Sequence, residues 1–359
     1  MSPGSPLAEH LRTQGRFCRT HASPFYGVLC DLLAADVDAG GQSARLLERW
    51  TGEGVDRGRL GADVPALRLL GSLHRLVLER RAPELALYYP SVGGSADAGV
   101  HGGMWPVLQA ALVEHADELR AGLDRVPQTN EVGRALPLLG GLALVSAWSG
   151  GADVRLHEIG ASAGLNLRAD HFPVGRGLLL DPGDGGLPQA PAYRVVERRG
   201  ADLHPVDPTS TEGRLTLTSY VWPDDTVRLE RLRAALDIAR TVPVDLRAES
   251  AADLVGSLEL AEGRVTVLWH SVMWQYVSEP ERGSVLAALG RLGARASARR
   301  RLAHLRFEPA VAGAGGHHEV RLTLWPGGDD TLVGTAPAHG VPVEWVPRAG
   351  LRAAGILPA

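Results

Sequence analysis

Apolar residues recur at helical spacing through the first 150 positions. Ala66, Leu67, Leu69, Leu70, Leu73, Leu76 and Val77 return every three or four residues, and Pro65 suits a first helical turn. Trp105, Leu108, Leu112, Leu119 and Leu123 form a second stripe. Val132, Leu136, Leu139, Leu142 and Val145 form a third, in which Pro137 predicts a kink. Loops rich in glycine and proline lie between, at Tyr89-Pro90-Ser91-Val92-Gly93-Gly94 and at His101-Gly102-Gly103. Strand signals are few here, so residues 1–150 read as a helical domain, expected to cap a substrate cleft.

The pattern changes after Ser149-Gly150-Gly151. Val154 to Ile159 is a short β-like run ending in glycines, with a helix expected from Gly164. Tyr193–Glu197, Val242–Leu246 and Val265–Trp269 read as further strands. Thr226–Arg240 and Glu279–Leu292 read as helices. Strand and helix alternating at this spacing imply parallel crossovers, a Rossmann-like α/β sheet over residues 151–359. Leu302–Phe307, Glu319–Trp325 and Thr331–Val333 look like antiparallel strands closing the chain. Glycine and proline crowd 172–215, where long loops are expected.

Composition removes several chemistries. All 37 basic residues are arginine. With no lysine there is no Walker A phosphate loop and no amine for Schiff-base or pyridoxal chemistry. Against 41 acidic residues the net charge is −4, which argues against a basic nucleic-acid surface. Cys18 and Cys30 are the only cysteines, too few for a four-cysteine zinc site or a radical iron–sulfur cradle. His317-His318 lacks further ligand spacing, so no metal is expected. Met1 to Gln14 has no apolar core and no run of eighteen apolar residues is read, so a cytoplasmic protein without signal peptide or membrane span is expected.

The most informative stretch is Glu158-Ile159-Gly160-Ala161-Ser162-Ala163-Gly164-Leu165-Asn166, placed where a strand ends. Small residues there let a backbone approach a nucleotide-like ligand. The same letters also spell a G-x-S-x-G nucleophile elbow. Ser162 would then need Asp253 and one of His304, His317, His318 or His339, with His101-Gly102-Gly103 as an oxyanion loop. A third alternative is a tight strand-to-helix turn without chemistry.

The acid followed by alternate glycines resembles the first motif of class I S-adenosylmethionine-dependent methyltransferases: Glu158, Gly160 and Gly164 match, while Ser162 replaces the central glycine. Val265–Tyr276 resembles that group's fourth strand and its substrate-facing loop. The resemblance implies cofactor contacts at Glu158, Gly160, Ser162, Gly164 and Asn166. It implies an adenine contact at Glu249, with Asp245 the lesser choice, and a ribose contact at Glu197. Taken together, Gln128–Arg134, the 158–166 run, Trp222-Pro223-Asp224, His270-Ser271 with Trp274-Gln275-Tyr276, and Trp325-Pro326-Gly327-Gly328 resemble a bacterial family of unknown function that spans nearly the whole chain.

Ligands in open α/β sheets bind beyond the carboxyl ends of the strands. His270 is a candidate base. Trp274, Gln275 and Tyr276 are candidate substrate contacts, with Tyr89, Ser91 and Asn130. Glu131 is a candidate acid or base, and Arg134 offers a fork for an anion. Thr129-Asn130-Glu131 equally suits a helix N-cap. Asp36 is a further acid. Three activities stay open on a small-molecule substrate: methyl transfer from S-adenosylmethionine, a cofactor-independent intramolecular displacement with loss of an anionic group such as sulfate, and serine hydrolysis.

Overall fold

The computed structural model describes residues 5–21, 23–51, 55–97, 103–183, 185–310 and 317–357. They form two compact units, one of residues 1–129 with 211–230, the other of 130–210 with 231–359. The division therefore falls at 129/130 rather than at 150, and an excursion from the second half of the chain completes the first unit.

The first unit is helical, with no strand among its described residues. Its principal helices are α1 (Pro6–Thr20), α2 (Pro24–Asp38), α3 (Gln42–Leu46), α4 (Arg57–Asp63), α5 (Pro65–Leu78), α6 (Pro83–Ala86), α7 (Met104–Glu114) and α8 (Ala116–Leu123), with α10 (Thr211–Ser219) added from the excursion. Leu69, Leu70, Leu73, Leu76 and Val77 of α5 all enter the core with Leu108, Leu112, Leu119 and Leu123. The apolar stripes thus mark real buried faces. Asp224 accepts from the Ser23 hydroxyl at 2.6 Å and the Phe25 amide at 2.9 Å, fixing the start of α2.

The second unit opens with a 3-10 turn (Val132–Arg134) and α9 (Ala135–Ser149). Pro137 sits in the first turn of α9, where its missing N–H has no intrahelical partner to lose, so it imposes no break. The span Val132–Ser149 is long and apolar enough to cross a membrane by composition, contrary to the sequence reading. It is 83% buried within the structure, as a core helix is. Two glycines let α9 lie close to its neighbours: a Cβ on Gly140 would fall 1.9 Å from the Trp345 ring, and one on Gly141 would fall 2.3 Å from Leu305.

Eight strands follow: β1 (Asp153–Ile159), β2 (Val195–Asp202), β3 (Asp245–Ala248), β4 (Arg264–Ser271), β5 (Arg300–Pro309), β6 (His318–Trp325), β7 (Asp330–Ala336) and β8 (Glu344–Trp345). Their order is β3-β2-β1-β4-β5-β6-β7-β8 in one sheet. Pairs among β1 to β5 are parallel; β6, β7 and β8 are added antiparallel. The fold is therefore a mixed α/β sheet, mostly parallel, with an antiparallel end. Residues 302–307 pair parallel with β4 on one side and antiparallel with β6 on the other, so the antiparallel run expected from sequence starts at this strand. Helices α12 (Ala251–Gly256) and α13 (Glu279–Ala294) bury Leu254, Val285 and Leu289 against Ile159, Leu268 and Leu302 on one face of the sheet. The helix α11 (Thr226–Ala239) matches its sequence pattern, and a short α14 (Arg348–Ala353) ends the described chain.

One crossover departs from the expected pattern. After β1 no α-helix forms; Asn166–His171 is a 3-10 turn. Pro173 cannot donate to a continuing helix and pushes Phe172 to extended backbone, observed at ψ 135°.

Candidate functional site

The loop after β1 is built by three left-handed residues in alternation: Gly160 (φ 66°), Ser162 (φ 52°) and Gly164 (φ 64°). Glycine accepts this conformation freely; the serine holds it at a cost of about 1–2 kcal/mol. Neighbouring groups hold the serine's backbone in place. Its amide donates to Oδ2 of Asp202 at 2.8 Å, and its carbonyl accepts from Val206 at 3.1 Å.

Every amide from 161 to 165 has a partner inside the unit. Ala161 donates to the Ala201 carbonyl at 3.0 Å and Gly164 to that of Ala161 at 2.7 Å. Oδ1 of Asn130 takes both Ala163, at 3.2 Å, and Leu165, at 2.9 Å. The buried guanidinium of Arg168 closes the other side, reaching the carbonyls of Gly164 and Val242, each at 2.7 Å. Burial pushes that guanidinium down to about 10. Met273 covers the remaining opening: a Cβ on Gly160 would fall 2.9 Å from its Cγ.

Around this turn stands a set of buried polar side chains. Glu158, 2% exposed at the end of β1, accepts from Nε1 of Trp269 at 3.1 Å through Oε1, while its buried Oε2 has no donor. Burial holds its carboxyl well above the usual carboxylate range, against the pull of the Trp269 bond. Asn166 donates to the Glu131 carbonyl at 3.3 Å, and its Oδ1 is likewise buried without a donor. Glu131, 4% exposed, caps the 3-10 turn by accepting from Gly133 at 3.0 Å. Arg134 donates to the carbonyls of Ala338 at 3.2 Å and Ser271 at 3.3 Å. Gly340, whose Cβ would fall 2.7 Å from the Arg134 Cα, lets the 337–340 loop press against this backbone.

The structure sorts the sequence candidates. Asn130, Glu131, Arg134, Glu158, Gly160, Ser162, Gly164 and Asn166 gather on and around the turn. Asn130, read as a substrate contact, spends its acceptor on the turn itself. His270 does not join them. Trp269 faces Glu158, so the next residue along β4 points to the opposite face. There Nδ1 of His270 meets Oε1 of Glu308 at 2.7 Å and Nε2 meets Nε2 of His304 at 3.0 Å. Trp274 stacks on its ring with centroids 5.1 Å apart; Gln275 and Tyr276 are exposed. Glu249 is held by Arg199 at 2.8 and 3.1 Å. Glu197 lies early in β2, paired with Arg155, instead of at the strand end. Asp202 occupies that end and was missed.

Tyr89 and Ser91 belong to the first unit. The Tyr89 hydroxyl is buried without a partner, and burial pushes it up. The Ser91 hydroxyl pairs with Nε2 of His74 at 2.8 Å. Asp36 accepts from the Ser43 amide at 2.7 Å, a capping role. His101 and Gly102 lie outside the described residues.

Of the partners named for a serine elbow, Asp253 is paired with the Ser250 hydroxyl at 2.7 Å and His304 with His270. No strand precedes β1 among the described residues, whereas a hydrolase elbow follows several. No group of three or more metal-ligating side chains occurs among the described residues.

The sequence model of a bacterial family described as "Uncharacterized protein conserved in bacteria (DUF2332)" matches residues 8–345. No curated protein and no solved structure matches the chain.

Proposed function

The chain belongs to this bacterial family of uncharacterised proteins, and from that premise we propose that it is a small-molecule-modifying enzyme working at the carboxyl ends of β1 and β4 without a cofactor. The observation that carries the reading is a mismatch of hydrogen-bonding needs. The turn's own amides are all satisfied, so it has no donors to offer a phosphate or carboxylate. Beside it, Oδ1 of Asn166 is a buried acceptor without a donor, and Oε2 of Glu158, on a carboxyl group that burial keeps protonated, is buried without a partner. A buried acceptor left unpaired costs about 1–3 kcal/mol, which a ligand bearing N–H or O–H groups would recover.

S-adenosylmethionine does not fit the turn as it stands, because Asn130 and Asp202 hold three of the amides and Met273 lies over Gly160. The chemistry these residues suit is an intramolecular displacement. Glu131 takes the proton of a substrate N–H or O–H; the freed lone pair forms a bond to carbon. The carbon–oxygen bond to a sulfate or phosphate ester breaks, and the anion leaves beside Arg134. Positioning one substrate for in-line attack supplies most of the acceleration.

Methyl transfer is the second reading. The parallel strand order 3-2-1-4-5 is Rossmann-like, and acids stand at the ends of β1, β2 and just after β3, at Glu158, Asp202 and Glu249. It requires Asn130 and Met273 to withdraw. Calorimetry separates the two. The displacement reading expects no heat with S-adenosylmethionine or its demethylated product. It also expects release of sulfate or phosphate from a panel of amino and hydroxy esters, abolished in Glu131→Gln and Arg134→Ala. Micromolar binding of the cofactor overturns it.

A further inference from the structure

The segment following β4 is held in an unusual way. Val272 has φ 50°, left-handed backbone that a β-branched residue rarely adopts. It is followed at once by Met273, whose side chain fills the space over Gly160, and by Trp274, stacked on His270. Three of the segment's hydrogen bonds meet on one oxygen, beside that of the Val272 amide to the Phe307 carbonyl at 2.9 Å and that of Arg282 to the Gln275 carbonyl at 3.2 Å. Oε1 of Glu308, on β5, accepts from Nδ1 of His270 at 2.7 Å, from the Met273 amide at 3.2 Å and from the Trp274 amide at 3.4 Å. The Ser271 carbonyl, at the base of the segment, accepts from Arg134.

We propose that residues 271–276 are a latch over the turn at Gly160, fastened by Glu308, which acts as a positioning residue for the site. Opposed contributions make the closed form releasable. The left-handed Val272 disfavours it, and three hydrogen bonds converging on one oxygen favour it. Release lifts Met273 from Gly160 and opens the space a ligand needs beside Glu158 and Asn166. The same motion takes the Ser271 carbonyl from Arg134, which keeps its bond to the Ala338 carbonyl, so opening of the space changes the guanidinium's surroundings as well. This purpose rests on the turn-side cluster being the reactive site; the latch itself does not.

Methionine oxidation tests it with the chain's own reporters. The full chain has three methionines: Met1, Met104, which is fully buried in the first unit, and Met273. Dilute peroxide and mass spectrometry give the oxidation rate at each. Glu308→Ala is expected to oxidise Met273 at least about tenfold faster, the equivalent of one of the three hydrogen bonds it loses, with Met104 unchanged. Val272→Asn, which tolerates left-handed backbone, is expected to slow Met273 oxidation. An unchanged Met273 rate in Glu308→Ala overturns the latch. Should Met104 also accelerate there, the variant is unfolded and Val272→Asn decides: an unchanged or faster rate overturns it. No substrate is present in the oxidation experiment, so its failure leaves the displacement reading standing, and absence of turnover leaves the latch standing.

Discussion

The indole Nε1 of Trp269 donates to Oε1 of Glu158 at 3.1 Å, and among the described residues this is the single hydrogen bond the buried carboxyl group receives. One neutral donor does not offset full burial, so the carboxyl group keeps its proton well above the usual range. The consequence for stability has a definite sign. The folded pKa lies above the unfolded value, so this contribution is fully present below pH about 4.5 and is lost as pH rises toward the folded pKa. Glu158→Gln keeps an acceptor for Trp269 and removes the ionisable group. Its Tm is expected to exceed that of the wild type by a margin that widens from pH 5 to pH 8. A margin flat across that range would refute the assignment.

Asn130 makes a second prediction. Its Oδ1 is the acceptor for the Ala163 and Leu165 amides, and truncation leaves both without a partner. Asn130→Ala should cost about 1–3 kcal/mol for each amide that water cannot reach, read as a lower midpoint in urea unfolding. Asn130→Asp retains an acceptor and should recover most of the loss. Equal loss in both variants would mean the amide group, not the oxygen, is what the site needs.

Much of this arrangement was legible in the sequence, and the parts that were not share a cause. The alternation of Glu158, Gly160 and Gly164 marks a left-handed turn at a strand end because only the local backbone is involved. Asn130 and Arg134 were singled out by grouping, yet their partners lie tens to hundreds of residues away, and no local pattern encodes them. Asp202 looks like any acid at the end of a run. Its role comes from the register that pairs Ala201 with Ile159 and so sets it beside the Ser162 amide. Glu308 is legible only once β5 is known to run parallel to β4, because the composition of Leu302–Phe307 suits either direction. The missing helix after Gly164 was legible after all, in Pro173.

His157 gives a prediction about acid. It is 1% exposed, and neither ring nitrogen has a hydrogen-bond partner. Burial lowers its pKa to about 4, although Glu197 at 3.8 Å pulls the other way. A lowered histidine is neutral in the folded protein, so its contribution is present above pH about 6.5 and is lost as pH falls toward 4. His157→Leu removes a proton acceptor whose nitrogens bond to nothing. The variant should match or exceed wild-type stability at pH 7 and exceed it by more at pH 5, measured by urea midpoints at both values. A larger deficit at pH 5 than at pH 7 would show that the ring is protonated and paired in the fold.

Two helix glycines offer a paired test of how closely α9 lies against its neighbours. Alanine is the better helix former by about 0.5–1 kcal/mol, so an unobstructed glycine-to-alanine change should stabilise. Gly290 in α13 is such a position, with nothing within 4 Å of the added Cβ. Gly140 in α9 is the reverse: the new methyl would sit 1.9 Å from the Trp345 ring, a rigid group that cannot rotate a flexible end away. Gly290→Ala should therefore raise Tm slightly. Gly140→Ala should lower Tm, with a loss of stability typical of overpacking, about 1–3 kcal/mol. The double variant Gly140→Ala with Trp345→Leu should recover part of that loss if the ring is the obstacle. If Gly140→Ala is as stable as Gly290→Ala, α9 does not pack on Trp345 at this distance, and the placement of the Glu131–Arg134 turn at the start of α9 loses its support.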